Sequence, residues 1–396
     1  MKILLKIKTY LVIIFLSILV TLYIFESYLI FNLNKPQINI SKIKKIYEKN
    51  NNKKFDERSK YQIYKDLSSK DKNIVVSVSP FAVNDPENKI HFLAGVSNSQ
   101  TIDCNENGYF SIYKSDRFGF NNPDDQWDKK KLSFLLLGDS FTHGSCVNRP
   151  KDIASILRRL SKDSVLNLGY KANGPLSMLA TLKEYFPANT KNIIWLYYEG
   201  NDLEDLNKEL SLNILKNYYF DTQFSQDLKH NQSYIDVQNK KIITNSIYLE
   251  DNIRDQAKRN YNFKNKILKF LRLDETKNFF YSVFSKKREK KLPFMEFKNT
   301  LKMAKDFSES KGSKFYFVYL PQFERYNKKF DNSRYQSIKS ILSQLNVNLI
   351  DLHEGVFSKE KEPLDLFPFK MWGHYNEIGY EKITKYIFST IKRYEN

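Results

Sequence analysis

The chain is poor in the residues that gather metals. It has 2 cysteines and 5 histidines, and none of them fall at the close spacings that hold zinc. No metal and no cofactor are therefore expected. A glycine-rich dinucleotide fingerprint and a phosphate-binding loop are both missing, and no internal repeat marks a solenoid or propeller. Acidic residues are also short, with 45 Asp+Glu against 64 Lys+Arg and a net charge of +19. Such a balance can signal nucleic acid. Here the lysines are scattered along the whole chain and travel with Asn, Ile, Tyr and Phe. No zinc-finger or RNA-recognition signature accompanies them, so no nucleic-acid partner is expected. Anionic lipid headgroups near the N-terminus suit the basic residues better.

Charge is absent altogether from Thr9 to Phe25, TYLVIIFLSILVTLYIF, which Lys2, Lys6 and Lys8 precede and Glu26 follows. The run is just long enough to span a bilayer as a helix, with Lys8 and Glu26 reaching to the two interfaces. The residues after it are bulky, unlike a signal-peptidase site. Residues 1–33 are therefore read as an uncleaved transmembrane anchor. Lysines flank it on both sides, so its orientation stays open. Residues 34–73 are polar and lysine-rich, a stalk or an amphipathic lead-in helix. Residues 74–131 hold short β-like runs (IVVSVSPF, IHFLAGVS and GYFSIYKSD) broken by Asn, Pro and Gly. Cys104 and Cys146 either pair in an oxidising compartment or are two unrelated buried thiols.

From Leu132 apolar runs alternate with helical spacings. The strand candidates are 132–138, 164–168, 192–198, 314–320 and 347–352. The helix candidates are 151–161, 175–185, 335–345 and 376–394. Continuous apolar strands between helices predict an α/β fold, a three-layer flavodoxin-like parallel sheet covered on both faces. This domain runs over 132–396. The alternation lapses at about 203–293, read as a mostly helical insertion: a lid, a substrate-binding cap or a membrane-surface flap.

Parallel sheets bind ligands beyond the carboxyl ends of their strands. Gly138-Asp139-Ser140, Asn167-Leu168-Gly169 and Gly200-Asn201-Asp202 each follow a strand, and Gly373-His374 precedes the last helix. Taken singly, Ser140 is an ordinary helix cap, and Gly169 and Asn201 are ordinary turn residues. Four blocks in this order, GDSFTHG, NLGYKANG, GND and GHYNEIGY, resemble the SGNH/GDSL hydrolase family over Leu132–Asn396, outside the insertion. They do not form the G-x-S-x-G elbow of α/β-hydrolases, because Thr142 stands at its last glycine.

The resemblance implies an esterase with Ser140 as nucleophile and His374 as base. It also implies an oxyanion hole built from the Ser140 and Gly169 backbone N–H groups and the Asn201 amide. The chemistry agrees, since a serine hydroxyl needs a base of suitable pKa. The chain departs from the family at the acid. Relatives carry aspartate two or three residues before the histidine, where this chain has Trp372 and Met371. Asp365 on the same loop, Asp351, or a Ser–His dyad with a backbone carbonyl are the alternatives. His143 and His353 are weaker candidates for the base, and His91 and His230 have no evident partners. The segment SDRFGFNNPDDQW (115–127) reads as a loop packing the edge of the sheet.

The expected function is removal of an acyl group, such as O-acetyl, from an envelope glycan or lipid-linked sugar outside the cytoplasm. An O-acyltransferase using the same acyl-enzyme and a non-catalytic glycan- or lipid-binding protein are the rivals. The missing acid supports the second rival.

Overall fold

A computed structural model of the chain describes residues 2–32, 40–82, 90–260, 263–284 and 291–395. The junction between the expected anchor and stalk, with Lys35, lies outside them, as does 285–290 near the end of the expected insertion. The helices and strands run in order α1 (Lys2–Asn32), α2 (Ile40–Asn51), α3 (Lys60–Ser68), β1 (Ile74–Val76), β2 (Gln100–Ile102), β3 (Ile112–Lys114), β4 (Leu132–Leu137), α4 (Ser140–His143), α5 (Ile153–Ser161), β5 (Val165–Asn167), α6 (Pro175–Tyr185) and β6 (Thr190–Tyr198). They continue with α7 (Asp202–Glu209), α8 (Asn213–Phe220), α9 (Gln232–Asn260), α10 (Phe263–Leu271), α11 (Asp274–Phe284), α12 (Phe294–Ser310), β7 (Lys314–Leu320), α13 (Glu324–Asn327), α14 (Ser333–Gln344), β8 (Asn348–Asp351), α15 (Leu352–Gly355) and α16 (Glu377–Glu395). Two compact units result: Met1–Lys54 with Tyr248–Lys291, and Phe55–Ile247 with Leu292–Asn396.

The larger unit is built on a five-stranded sheet in the order β5-β4-β6-β7-β8, with every pairing parallel. The expected flavodoxin-like class is thus the observed one. Alternation along each strand sends side chains to opposite faces. Leu135, Leu137, Ile193, Trp195 and Phe317 join one core with residues of α6 and α12. Phe134, Leu136, Ile194, Leu196 and Val318 join the other, with residues of α5 and α16. A strand buried on both faces must be apolar throughout, which is why these runs were plain in the sequence.

The lead-in forms a small second sheet, with β1 parallel to β2 and β2 antiparallel to β3. Within the stretch expected to be stalk, α3 belongs to this unit; a reciprocal Ser59–Gln62 capping box opens it and its Ile63 is buried with β1. One expected strand is absent. Phe92, Leu93 and Ala94 of IHFLAGVS are buried, yet their backbone is satisfied by side chains. His91 N–H donates to Gln226 Oε1 at 2.6 Å, the Leu93 carbonyl accepts from Asn173 Nδ2 at 3.0 Å, and the Ala94 carbonyl from Asn239 Nδ2 at 3.3 Å. Buried backbone groups need partners of some kind, not strand partners in particular.

The 115–127 loop packs on the sheet edge as expected. Asn122 brackets Asn167 of edge strand β5, donating from Nδ2 to its carbonyl and accepting its N–H, both at 2.8 Å. Gln126 Oε1 takes the Val165 N–H at 3.2 Å.

In the smaller unit, α1 is long and apolar enough over Lys6–Phe31 to cross a membrane. The expected insertion is mostly helical in its described residues, through α7 to α11, with a non-helical stretch at 221–231.

Candidate active site

Strand order places the switch of chain direction between β4 and β6, the crevice where such sheets hold ligands. Ser140 opens α4 directly beyond β4. Asp139 caps that helix, its Oδ1 accepting the Phe141 N–H at 2.8 Å. The Ser140 N–H, at the start of the helix, has no acceptor among the described residues. His374 comes in on the loop before α16. Its Nε2 lies 2.8 Å from Ser140 Oγ, and its ring packs 4.7 Å from Phe141. Serine and imidazole from opposite ends of the domain are thus in hydrogen-bond contact.

The acid comes from a place the sequence reading did not consider. Glu106 Oε1 lies 3.0 Å from His374 Nδ1, and Glu106 Oε2 accepts the His374 backbone N–H at 2.6 Å. The carboxylate holds both the ring and the backbone of the histidine. Facing a carboxylate, Nδ1 carries the proton, which leaves Nε2 free to accept from Ser140. A Cβ on Gly373 would lie 2.7 Å from Glu106 Oε2, so the residue before the histidine must be bare for the carboxylate to fit.

Glu106 is held by the Cys104–Cys146 disulfide, with Cα atoms 4.9 Å apart. Asn107 Nδ2 donates to the Cys146 carbonyl at 2.9 Å, and Tyr109 Oη to Glu377 at 3.0 Å. The bridge ties the lead-in to the loop after the serine. This was the available clue: an acid two residues from a cysteine whose partner lies six residues past Ser140. Cys104, Cys146 and His374 do gather within 4.8 Å, but the two sulfurs are bonded to each other and offer no thiolate to a metal.

Four expected placements need correction. Asp365 is exposed and pairs with Lys370 Nζ at 2.9 Å. A solvated carboxylate facing a lysine does not orient the histidine. Asp351 caps α15 through the Glu354 N–H at 3.1 Å and accepts from Tyr335 Oη at 2.6 Å. The backbone-carbonyl dyad is displaced by Glu106. Gly169 does not present a free N–H, because Asn167 Oδ1 takes it at 2.9 Å. A Cβ on Gly169 would lie 2.6 Å from Thr142 Cβ. Glycine is there to let β5 close onto α4.

Asn201 precedes α7 and donates from Nδ2 to Asp205 Oδ2 at 2.8 Å. That bond fixes which end of the amide is nitrogen and leaves its second N–H to donate elsewhere. Ala172 is the other notable residue of the 169–174 loop. Its φ is 61°, and its N–H has no acceptor among the described residues. Neighbouring Lys171 pairs with Asp103 at 2.7 Å, next to the disulfide. His143 is buried with Nδ1 3.2 Å from the Gly169 carbonyl, and His353 lies 2.8 Å from Tyr326 Oη and 3.1 Å from Ser358 Oγ. Neither faces Ser140.

Burial is the largest influence on the His374 pKa and pulls it down, but the carboxylates of Glu106, Asp139 and Asp103 together more than offset it. The net value lies above 6.5. Burial pushes Asp139 up to about 7. It drives Asp202 well above the usual carboxylate range, with Asp139 as the next cause.

No protein-family model matches the chain, and no curated protein does. Solved structures similar to it include a lipolytic protein of the G-D-S-L family from Desulfitobacterium hafniense, at 14% identity and a TM-score of 0.35, covering 65% of this chain and 98% of that one. A lipase/acylhydrolase from Enterococcus faecalis has 12% identity and a TM-score of 0.37, covering 66% and 95%. The acetyl xylan esterase AlAXEase has 10% identity and a TM-score of 0.34, covering 66% and 100%. Likeness at this level assigns neither residue roles nor substrate to this chain.

Proposed function

We propose that the chain is a serine esterase of SGNH/GDSL type, removing an acyl group such as O-acetyl from an envelope glycan or lipid-linked sugar. The observation that carries this is the continuous line Ser140 Oγ, His374 Nε2, His374 Nδ1, Glu106, with contacts of 2.8 Å and 3.0 Å. His374 takes the Ser140 proton as Oγ attacks the ester carbonyl. Glu106 holds the imidazole in the required tautomer and stabilises the imidazolium that forms. The tetrahedral oxyanion accepts from the Ser140 N–H and the Asn201 amide. We assign the third donor to the Ala172 N–H in place of Gly169. His374 then protonates the leaving alcohol, and water repeats the sequence on the acyl-serine to release the acid.

The reading of a retained fold without activity rested on a missing acid, and Glu106 removes that support. The envelope setting is supported by α1, read as a membrane span, and by a disulfide, which persists in oxidising compartments. The test is fluorophosphonate labelling of the wild type and of Ser140→Ala, followed by hydrolysis of p-nitrophenyl acetate and of an acetylated oligosaccharide. Labelling that depends on Ser140 and acetate release from the oligosaccharide are expected. A wild type that neither labels nor hydrolyses would overturn the proposal. Acetyl transfer to an added glycan in preference to water would reassign the enzyme as an acyltransferase.

A further inference from the structure

Glu26 carries an acidic side chain within the apolar window of α1, and it is 1% exposed. A carboxylate placed in a membrane span needs partners. This one takes them from another helix: Glu26 Oε1 accepts the Glu275 N–H at 3.1 Å, and Oε2 accepts the Thr276 N–H at 2.7 Å. These are first-turn amides of α11, the positive end of its dipole. Around this cap, Tyr23 packs on Phe270 with ring centroids 5.3 Å apart and donates to the Leu271 carbonyl at 3.1 Å. Phe25 packs on Phe279 at 5.3 Å. The apolar helix is therefore an integral part of its unit. Removing it as a leader would strip two buried amides of their acceptor.

Beyond the cap, α11 presents a row of uncovered apolar side chains. Phe280 is 43% exposed, Tyr281 77%, Val283 59% and Phe284 76%. We propose that α10 and α11 form a second membrane-contacting element beside α1, with the rings of Phe280, Tyr281 and Phe284 seated in the lipid interface. The occupant is lipid because the patch continues a surface that is already lipid-facing: Leu11, Val12, Ile13, Ile14, Phe15, Leu16, Ile18 and Val20 of α1 are each more than half exposed, and α11 is fastened to its last turns. Aromatic rings favour the headgroup boundary. The chain then holds the bilayer at two points, and the 203–293 region acts in part as a membrane-surface flap. The inference rests on reading α1 as a membrane span.

The test places the photo-crosslinking amino acid p-benzoylphenylalanine at single positions of the full chain, reconstituted in phosphatidylcholine–phosphatidylglycerol vesicles. Position 15 in α1 reports the anchor, positions 280 and 284 report α11, and position 220, an exposed phenylalanine of the other unit, is the background. Lipid adducts at 280 and 284 comparable to those at 15, and above those at 220, are expected. Adducts at 15 without any at 280 and 284 would overturn the second contact and leave the anchor standing. Lipid adducts at neither site would remove the anchor and the flap together. Protein adducts at 280 and 284 would replace lipid with a protein partner and overturn the proposal.

Discussion

Two loops compete to supply the acid, and they differ in what surrounds their carboxylates. The loop carrying His374 also carries Asp365, whose side chain is 56% exposed and held by Lys370. The loop around Glu106 is more than two hundred residues away in sequence, yet the Glu106 side chain is 23% exposed and grips the histidine at two points. A solvated ion pair contributes little and fixes little. A half-buried carboxylate whose neighbours are covalently anchored fixes one imidazole orientation. Nearness along the chain to the base is thus a poor guide to the acid; what matters is which loop the tertiary structure presses against Nδ1.

The comparison breaks first if the base and nucleophile are wrong. Ser140→Ala and His374→Ala are each expected to lower kcat by ~10⁴-fold or more, the scale for a triad member, and to abolish fluorophosphonate labelling at neutral pH. The two loops are then set against each other by Glu106→Gln and Asp365→Asn. The first is expected to lower kcat by ~10³–10⁴-fold; the second is expected to leave activity near wild type. A large loss in Asp365→Asn with little in Glu106→Gln would reverse the assignment.

The pH profile sharpens the same contrast. The base must be neutral, so the rising limb of kcat/KM reports proton loss from His374. Its pKa is raised because Glu106, together with Asp139 and Asp103, offsets burial. With the charge removed, burial dominates, and the limb of Glu106→Gln is expected at lower pH than in the wild type. Asp365→Asn is expected to leave the limb in place.

Asn201→Ala is expected to cost ~10²–10³-fold in kcat with KM little changed, as for one oxyanion donor. A smaller catalytic effect is expected from the double variant Cys104→Ser/Cys146→Ser, because Glu106 keeps its hydrogen bonds but loses its tether. A several-fold fall in kcat is expected together with a stability loss. Closing a 42-residue separation stabilises by about 4 kcal/mol in the chain-entropy model, and denaturant titration would read it. Unchanged kcat would show that the loop places Glu106 without the bridge.

The sheet was legible because strands buried on both faces announce themselves as unbroken apolar runs, and Ser140, Asn201 and His374 stand at the ends of such runs or of the last helix. The 90–97 run misled for the same reason: burial writes apolar residues whether the backbone partner is a strand or the side chains of Gln226, Asn173 and Asn239. Gly169 could not be judged from sequence, because its N–H is consumed by a neighbouring side chain two residues back. Glu106 was hidden because nothing local marks it. Only the pairing of Cys104 with Cys146 brings it into view, and the sequence left that pairing open.

The proposed role of Glu106 also decides where the chain can be cut. The large sheet begins at Leu132, but the compact unit that holds it begins at Phe55; a gene fragment starting at Leu132 would encode the proposed nucleophile, base and oxyanion amide. It would lack any carboxylate for Nδ1 and would leave Cys146 as an unpaired thiol beside the histidine. The shortest fragment that keeps the chemistry whole must start upstream of Cys104. Residue Phe55, where the larger unit begins, is the natural place to cut.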